Sequence, residues 1–241
     1  MLQAGNSFLA NLSETDFTLI LAYLKPIELP RGLVLSRSGY PVDRVYFPGL
    51  AVASSITPHS ADNVRMIMTG RHGIIGAAAA LASSHSQHDV SGLFPGFSWA
   101  LTAPVLRSIA PARPSIMDAL LRYQKSARQE LRQNAACNAS HPVEGRLSSL
   151  LLRIRDLTMK NDISLAKMLI SQMTNISLAG IDDLLSLFQK ADYIKYSEDN
   201  IRIMDLEGLH RSSCECCMSL KPLLTKFNPC SNPLLSDDPN R

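Results

Sequence analysis

Hydrophobic and polar positions follow three different rhythms along this chain, and each rhythm predicts a different architecture. From Asn6 to Leu24, apolar residues fall at Phe8, Leu9, Leu12, Phe17, Leu19, Ile20, Leu21 and Leu24, with Ser13 three places before Asp16. That spacing predicts one or two short helices with a capped start. From Lys25 to about Ala112 the rhythm shortens to apolar runs cut by Pro and Gly: LKPIELPRG, LVLSRSGYP, VDRVYFPG, AVASSITP, VRMIMTG and WALTAP. Strands between turn signals at such close intervals predict an all-β barrel or jelly roll. After Pro114 the stretch IMDALLRYQKSARQELRQNAAC runs 22 residues without Gly or Pro. Here Met117, Leu120, Gln124, Ala127, Leu131 and Asn134 keep the alternating three-and-four spacing of a coiled-coil seam. A long helix with a dimer seam is the expectation, and a helix that simply packs on the barrel is the alternative.

Beyond that helix, His141-Pro142-Val143-Glu144 predicts a new helix start, with Pro at the first helical position. Val143, Leu147, Leu150, Leu151, Ile154 and Leu157 follow on one face. After the polar break KND come a short helix over Leu165 to Met173, a tight joint over Thr174 to Ile176, and a second helix over Ser177 to Lys190. YIKYSEDNIRIMD alternates on both sides of a Ser-Glu-Asp-Asn turn and predicts a β-hairpin. Three helices and a hairpin make a winged helix-turn-helix. The expected class is therefore α+β. A sensory barrel with N-terminal helices spans 1–112, a dimerisation helix 113–138, a winged helix-turn-helix 139–220, and a disordered tail 221–241.

Composition narrows the function classes. In 241 residues, 46% hydrophobic content supplies a real core, and a net charge of +3 alone says little about nucleic acid. The distribution says more: residues 107–136 carry six basic and two acidic side chains, whereas 137–220 carry nine basic and eleven acidic. The most basic segment is not the one holding the suspected DNA reader. The N-terminus MLQAGNSFLANLSETDF lacks a basic region followed by a long apolar run, and no uncharged apolar stretch reaches about 18 residues, so no membrane association is expected. Five cysteines, three of them packed at 214 to 217, do not form a secreted disulfide framework, so a reducing cytoplasm is expected.

Several words of the sequence, in order, carry a family resemblance. PIELPRGLVLSRSGYPVDRVYFP resembles the opening strands of the effector barrel in Crp/Fnr-type transcription regulators, relatives of the cyclic-AMP receptor protein. MTGRHGIIGAAAAL resembles the turn and short helix where that family seats its ligand cassette. AACNASHPVEGRLSSLLL is similar to the junction into the DNA-binding domain in one bacterial branch, and LFQKADYIKY, NIRIMDLEGL and CEC to the end of its reading helix, its wing and the segment after it. The resemblance covers about residues 8 to 217. It implies a homodimer in which a barrel senses a signal, a long helix carries it, and paired winged helices bind a palindromic DNA site. Their two recognition helices lie about 34 Å apart. RNA polymerase enters as a further candidate partner.

The sequence also departs from that pattern. The family's cyclic-nucleotide cassette pairs a Gly-Glu with an Arg, but here the turn is Gly76-Ala77-Ala78 and the following SSHSQHDVSG has no Arg. Without a guanidinium fork a cyclic phosphate loses its bidentate bonds, so cyclic AMP binding in the usual manner is not expected and the effector is unknown. Residues 1 to 136 contain no Cys, which excludes the N-terminal iron–sulfur sensor of the family. Cys214, Cys216 and Cys217 with His210 do not fit zinc spacing well, so no metal and no cofactor are expected. His59, His72, His85 and His88 have no catalytic partner at a recognisable spacing and are expected to be solvated loop residues, which leaves an enzyme reading with no site.

The reading helix departs most. Where the family branch carries a Gly-Val turn and then Arg-Arg-Thr-Ser, this chain has Asn175-Ile176 and then Ser177, Leu178, Ala179 and Gly180. Arginine forks onto guanine cannot form here. Asp182 and Asp183 would face a polyanion if turned outward. Asn175 can take the left-handed conformation that glycine usually serves. The candidate DNA contacts are Ser177, Lys167, Lys190, Lys195 and Arg202, the last four in positions that border the backbone rather than the bases. The leading expectation is a homodimeric DNA-binding regulator with a degenerate effector cassette (Gly76, Ala77, Ala78) and an atypical reader. The alternative is a non-DNA-binding interaction protein that acts through dimers or heterodimers.

Overall fold

The strand Arg44–Pro48 (β3) shows how the barrel is assembled, because Val45, Tyr46 and Phe47 are all buried although strand side chains alternate in direction. Both faces of its sheet are covered. Val45 and Phe47 meet helices, while Tyr46 meets a second sheet. The computed structural model describes residues 5–57, 65–81 and 85–216; His59, Cys217 and the tail lie outside them.

The first sheet joins β1 (Lys25–Leu29), β7 (Gly96–Thr102) and β3 in the order β1-β7-β3. The second joins β2 (Val34–Ser36), β6 (Asp89–Phe94), β4 (Val52–Thr57) and β5 (Arg65–Thr69) in the order β2-β6-β4-β5. Every ladder is antiparallel. Leu29, Tyr46, Ala51, Ala53, Ile75 and Ala100 fill the space where the sheets face each other, with Ile27, Leu35 and Val90 at its margin. This is the expected double-sheet barrel.

The outer face of the first sheet is covered by α1 (Ser7–Ala10), α2 (Glu14–Leu21), α4 (Ala103–Ala112) and the start of α5 (Pro114–Ser140). The N-terminal caps follow the sequence: the Ser13 hydroxyl accepts from the Asp16 amide at 3.2 Å. Asn6, 1% exposed, caps α1 through its oxygen and donates to the Pro48 and Gly73 carbonyls at 2.9 and 3.0 Å. Asp16, itself buried, accepts from Arg113 and Ser115 and so ties α2 to the start of α5. Those donors hold its carboxyl below the usual carboxylate range, Ser115 foremost and then Arg113. The helix α4 lies in a stretch whose turn signals predict barrel up to 112.

The C-terminal unit starts with α6 (Val143–Thr158), where Pro142 takes the cap place and the helix begins one residue later than expected. The short strand β8 (Asp162–Ser164) follows, then α7 (Lys167–Thr174) and α8 (Leu178–Lys190). The hairpin of β9 (Ile194–Ser197) and β10 (Asn200–Ile203) pairs β8 as well, in the order β8-β10-β9, and α9 (Leu206–Ser212) packs on α6. One core unites Leu147, Leu151, Ile154, Ile170, Ile181, Leu185, Phe188 and Ile201. Leu93 of β6 joins this core, and α7 packs against β5, so the winged helix is docked on the four-stranded sheet.

Candidate nucleic-acid interface

The reader is built from its turn outward. Asn175 has φ 55° and ψ 41°, the left-handed conformation that ends α7. Its amide donates to the Ser171 carbonyl at 2.8 Å, and the Ser171 hydroxyl donates to the Ile176 carbonyl at 2.6 Å, so the turn is closed without glycine. Arg146 reaches the same place from α6, donating to the Asn138 and Thr174 carbonyls at 3.1 and 2.9 Å.

Ser177 stands as the N-cap of α8, its hydroxyl accepting from the Gly180 amide at 3.2 Å. That oxygen is committed to the helix end. Leu184, Leu185 and Phe188 turn inward as expected, joined by Ile181, whereas Leu187, expected on the same packing face, is 50% exposed. Outward, α8 presents Leu178, Ala179, Asp182, Asp183, Ser186, Leu187, Gln189 and Lys190. The predicted loss of base-reading side chains therefore coincides with the solvent-facing surface.

The five candidate contacts separate into three kinds. Lys167 pairs with Asp182 across the turn and lies 5.3 Å from the centre of the Tyr196 ring. Arg202 of β10 pairs with Asp162 of β8 at 2.5 Å. Both partners favour the charged form and raise the pKa of Lys167 and Arg202, through the bonds to Asp182 and Asp162 respectively. Lys190 and Lys195 are exposed and make no ion pair among the described residues. Ser177 is spent on its cap. The tip of the wing is acidic, since Glu198, at φ 55°, and Asp199 form a two-residue turn between Ser197 and Asn200. Gln189 Oε1 accepts from the Tyr196 amide at 2.9 Å and holds the wing against the end of α8.

In the barrel, Gly76 has φ 81°, and a Cβ there would meet the Arg44 carbonyl oxygen at 3.0 Å. Ala77 is buried in the helix-facing core and Ala78 is exposed at the start of α3 (Ala78–Leu81). The side chains of Gly76, Ala77 and Ala78 themselves carry no charge and no hydrogen-bonding group in place of the missing Glu. One histidine departs from expectation. His72 is half-buried, its Nδ1 2.8 Å from the Ser7 hydroxyl. Burial lowers its pKa to about 4, and Arg153 and Arg71 push the same way. It lines a cleft with Gly70, Tyr123, Glu130, Leu131 and Arg153 at the meeting of barrel, α5 and α6. Glu130 and Arg153 pair there at 2.5 Å, and burial raises the Glu130 pKa against the pull of Arg153.

The proposed seam needs correction. Leu120 is 0% exposed and belongs, with Ile116 and Ala119, to the barrel core of its own chain; Met117 packs on that core. Ala127 lines the cleft beside Glu130. The three-and-four spacing reported an apolar stripe correctly, but the barrel covers its first half. Gln124 is half-buried, Leu131 borders the same cleft yet is 40% exposed, and Leu121, outside the expected seam, is 54% exposed.

The cysteine expectation rests on too little of the chain. Cys137 in the last turn of α5, His141 at its C-cap and Cys216 bring one ligand atom each to within 4.8 Å of one another. Cys214 Sγ lies 3.9 Å from Cys137 Sγ, and Cys216 Sγ 3.6 Å from His141 Nε2. Burial foremost pushes the Cys137 thiol up to about 12. His210 is not part of the group. The signal that could have found it is the Cys-x3-His spacing, one helical turn, which puts both side chains on one face.

A double-sheet barrel, a long connecting helix and a winged helix-turn-helix define a two-part architecture. No protein-family model matches the chain, and no curated protein matches it. Solved structures do. FixK2 from Bradyrhizobium japonicum superposes with a TM-score of 0.67 at 11% identity over 79% of this chain and 98% of that one. TTHB099, a transcriptional regulator of the CRP family from Thermus thermophilus, gives 0.65 at 10% identity over 78% and 96%. The c-di-GMP responsive global regulator CLP of Xanthomonas campestris gives 0.64 at 13% identity over 80% and 100%. The chain has the Crp/Fnr-type fold. Among the described residues, no helix is long and apolar enough to cross a membrane.

Proposed function

We propose that this chain is a homodimeric DNA-binding transcription regulator of the Crp/Fnr kind whose reader has lost base recognition by arginine and holds DNA through its backbone. The carrying observation is a complete helix-turn-helix frame, closed at Asn175 and capped at Ser177, with the exposed Lys190 and Lys195 beside it. Phosphate contacts of this type fix orientation and carry no sequence information directly. The barrel acts without the usual cyclic-AMP contacts, because Gly76, Ala77 and Ala78 offer no carboxylate and no guanidinium follows. The dimer forms along the open side of α5 through Leu121, Gln124 and Leu131. RNA polymerase is a further partner in this reading.

Genomic-fragment selection with purified protein at about 100 mM salt, followed by a salt titration, tests it. Enrichment of a palindromic site and a steep negative slope of log K against log salt are expected. A second reading rests on the outward face of α8, where Leu178, Asp182, Asp183 and Leu187 are exposed. Such a face suits a protein partner better than a polyanion, and undetectable DNA binding at low salt would favour this interaction protein over the regulator.

A further inference from the structure

The two ends of the winged-helix unit meet at a cluster of sulfur and imidazole. Cys137 and His141 from the end of α5 and Cys216 from the segment after α9 bring their ligand atoms within 4.8 Å of one another, and Cys214 stands beside this group, in contact with Cys137. Tetrahedral zinc, with bonds of about 2.3 Å to sulfur and about 2.05 Å to nitrogen, sets its ligand atoms roughly 3.8 Å apart for two sulfurs and roughly 3.6 Å for sulfur and nitrogen. The observed separations are 3.9 Å for Cys214 to Cys137 and 3.6 Å for Cys216 to His141. A disulfide would need the two sulfurs at about 2.05 Å. Outer partners are also present: Gln133 Nε2 donates to Cys137 Sγ at 3.5 Å, and the Ser149 hydroxyl lies 3.4 Å from Cys214 Sγ. N–H and O–H groups aimed at thiolate sulfur are what orient the ligands of a metal site.

We propose that Cys137, His141 and Cys216, with Cys214 closing onto them from beside Cys137 as the fourth ligand, form a Cys3His site for a zinc-class divalent ion, which clamps the winged-helix unit to the end of the long helix. Three sulfurs and an imidazole select a soft or borderline tetrahedral ion over calcium or magnesium. Four protein ligands leave no open position, so the role is structural. Loading exchanges the three thiol protons for the metal, and the site carries one net negative charge when filled. Nothing in it depends on DNA binding, so it stands or falls separately from the regulator reading.

The test uses the full chain purified under reducing conditions. The metal content is measured, the protein is stripped with chelator, and Co2+ is titrated while visible absorption is followed. One equivalent of cobalt with the intense ligand-field bands of tetrahedral thiolate coordination, displaced by zinc, is expected. Cys217→Ser with Cys230→Ser retains the bands. Cys216→Ser weakens cobalt binding by roughly 100-fold or more, beyond what loss of an outer partner costs. His141→Cys retains binding with shifted bands, which guards against a variant that merely fails to fold. Absence of the bands in the wild-type chain, their loss only in the Cys217→Ser and Cys230→Ser protein, or a Cys137 to Cys214 disulfide with no metal would overturn the site.

Discussion

Lys167 of α7 is ion-paired to Asp182 of α8 across the helix-turn-helix joint, so a cation on the candidate DNA surface is neutralised by an acid of the reader itself. The pair is solvent-accessible, and its main effect is on the surface field rather than on folding. Asp182→Asn leaves Lys167 free to meet a phosphate. The slope of log K against log salt for a duplex should steepen by about 1. Fluorescence anisotropy across a salt series reads it, with the denaturation midpoint close to that of the wild type.

Lys190 and Lys195 give the opposite arm. Replacing both with Ala removes the two exposed, unpaired cations next to the reader. Binding should weaken on all sequences alike, and the salt slope should flatten by about 2. An unchanged slope would place the DNA contact elsewhere.

Two adjacent leucines of α5 separate assembly from folding. Leu121→Asp alters a residue that is 54% exposed, so the far-ultraviolet circular dichroism should hold while light scattering coupled to gel filtration shows the mass halved. Leu120→Ala, at 0% exposure in the barrel core, should instead cost about 3 kcal/mol of stability in urea unfolding.

These leucines also show where the sequence stopped being informative. The spacing identified Leu184, Leu185 and Phe188 on the inner face of α8 because a single core, that of the winged-helix unit, covers it, but it also placed Leu187 there, which is exposed. Along α5 the same kind of stripe had two claimants, the barrel and a second chain, and spacing cannot choose between them. The helix α4 was hidden by Pro104, tolerated in its first turn, and by Pro111, which lies inside its last turn; both read as breakers. The strand β8 is three residues long, too short for any period to register. Cys137 and Cys214 meet across 77 positions, and their contact exists only once α6 and α9 have packed.

Asn175 offers a direct check on the turn. A left-handed φ of 55° costs a side chain with Cβ about 1 kcal/mol, which Asn offsets in part and Gly avoids. Asn175→Ala should lower stability by about 1 kcal/mol, and Asn175→Gly should leave it within about 0.5 kcal/mol of the wild type. Urea denaturation distinguishes them.

His72 sets an acid limit on the barrel junction. Its pKa falls from 6.5 unfolded to about 4 folded, so between those values the unfolded chain binds the extra proton. Stability from this group is intact above pH 6.5 and declines as pH drops toward 4, by about 3 kcal/mol over the full window. His72→Gln should reduce that decline between pH 7 and pH 4.5, measured as the difference in unfolding free energy. A decline of the same size in the variant would assign it to other groups.

The buried root of α5 has a mechanical consequence. Ile116, Ala119 and Leu120 anchor its first turns against the helix-covered face of the barrel's first sheet, and 27 residues at 1.5 Å each carry its other end about 40 Å away, to the joint that Arg146 clasps. The helix is a lever with a short arm and a long one. A tilt of about 5° at the root, small enough to follow the repacking of one or two side chains, sweeps the tip by roughly 3.5 Å. That is close to the axial step of about 3.4 Å between neighbouring base pairs, the scale on which the DNA-binding reading proposed above would feel a change at the root.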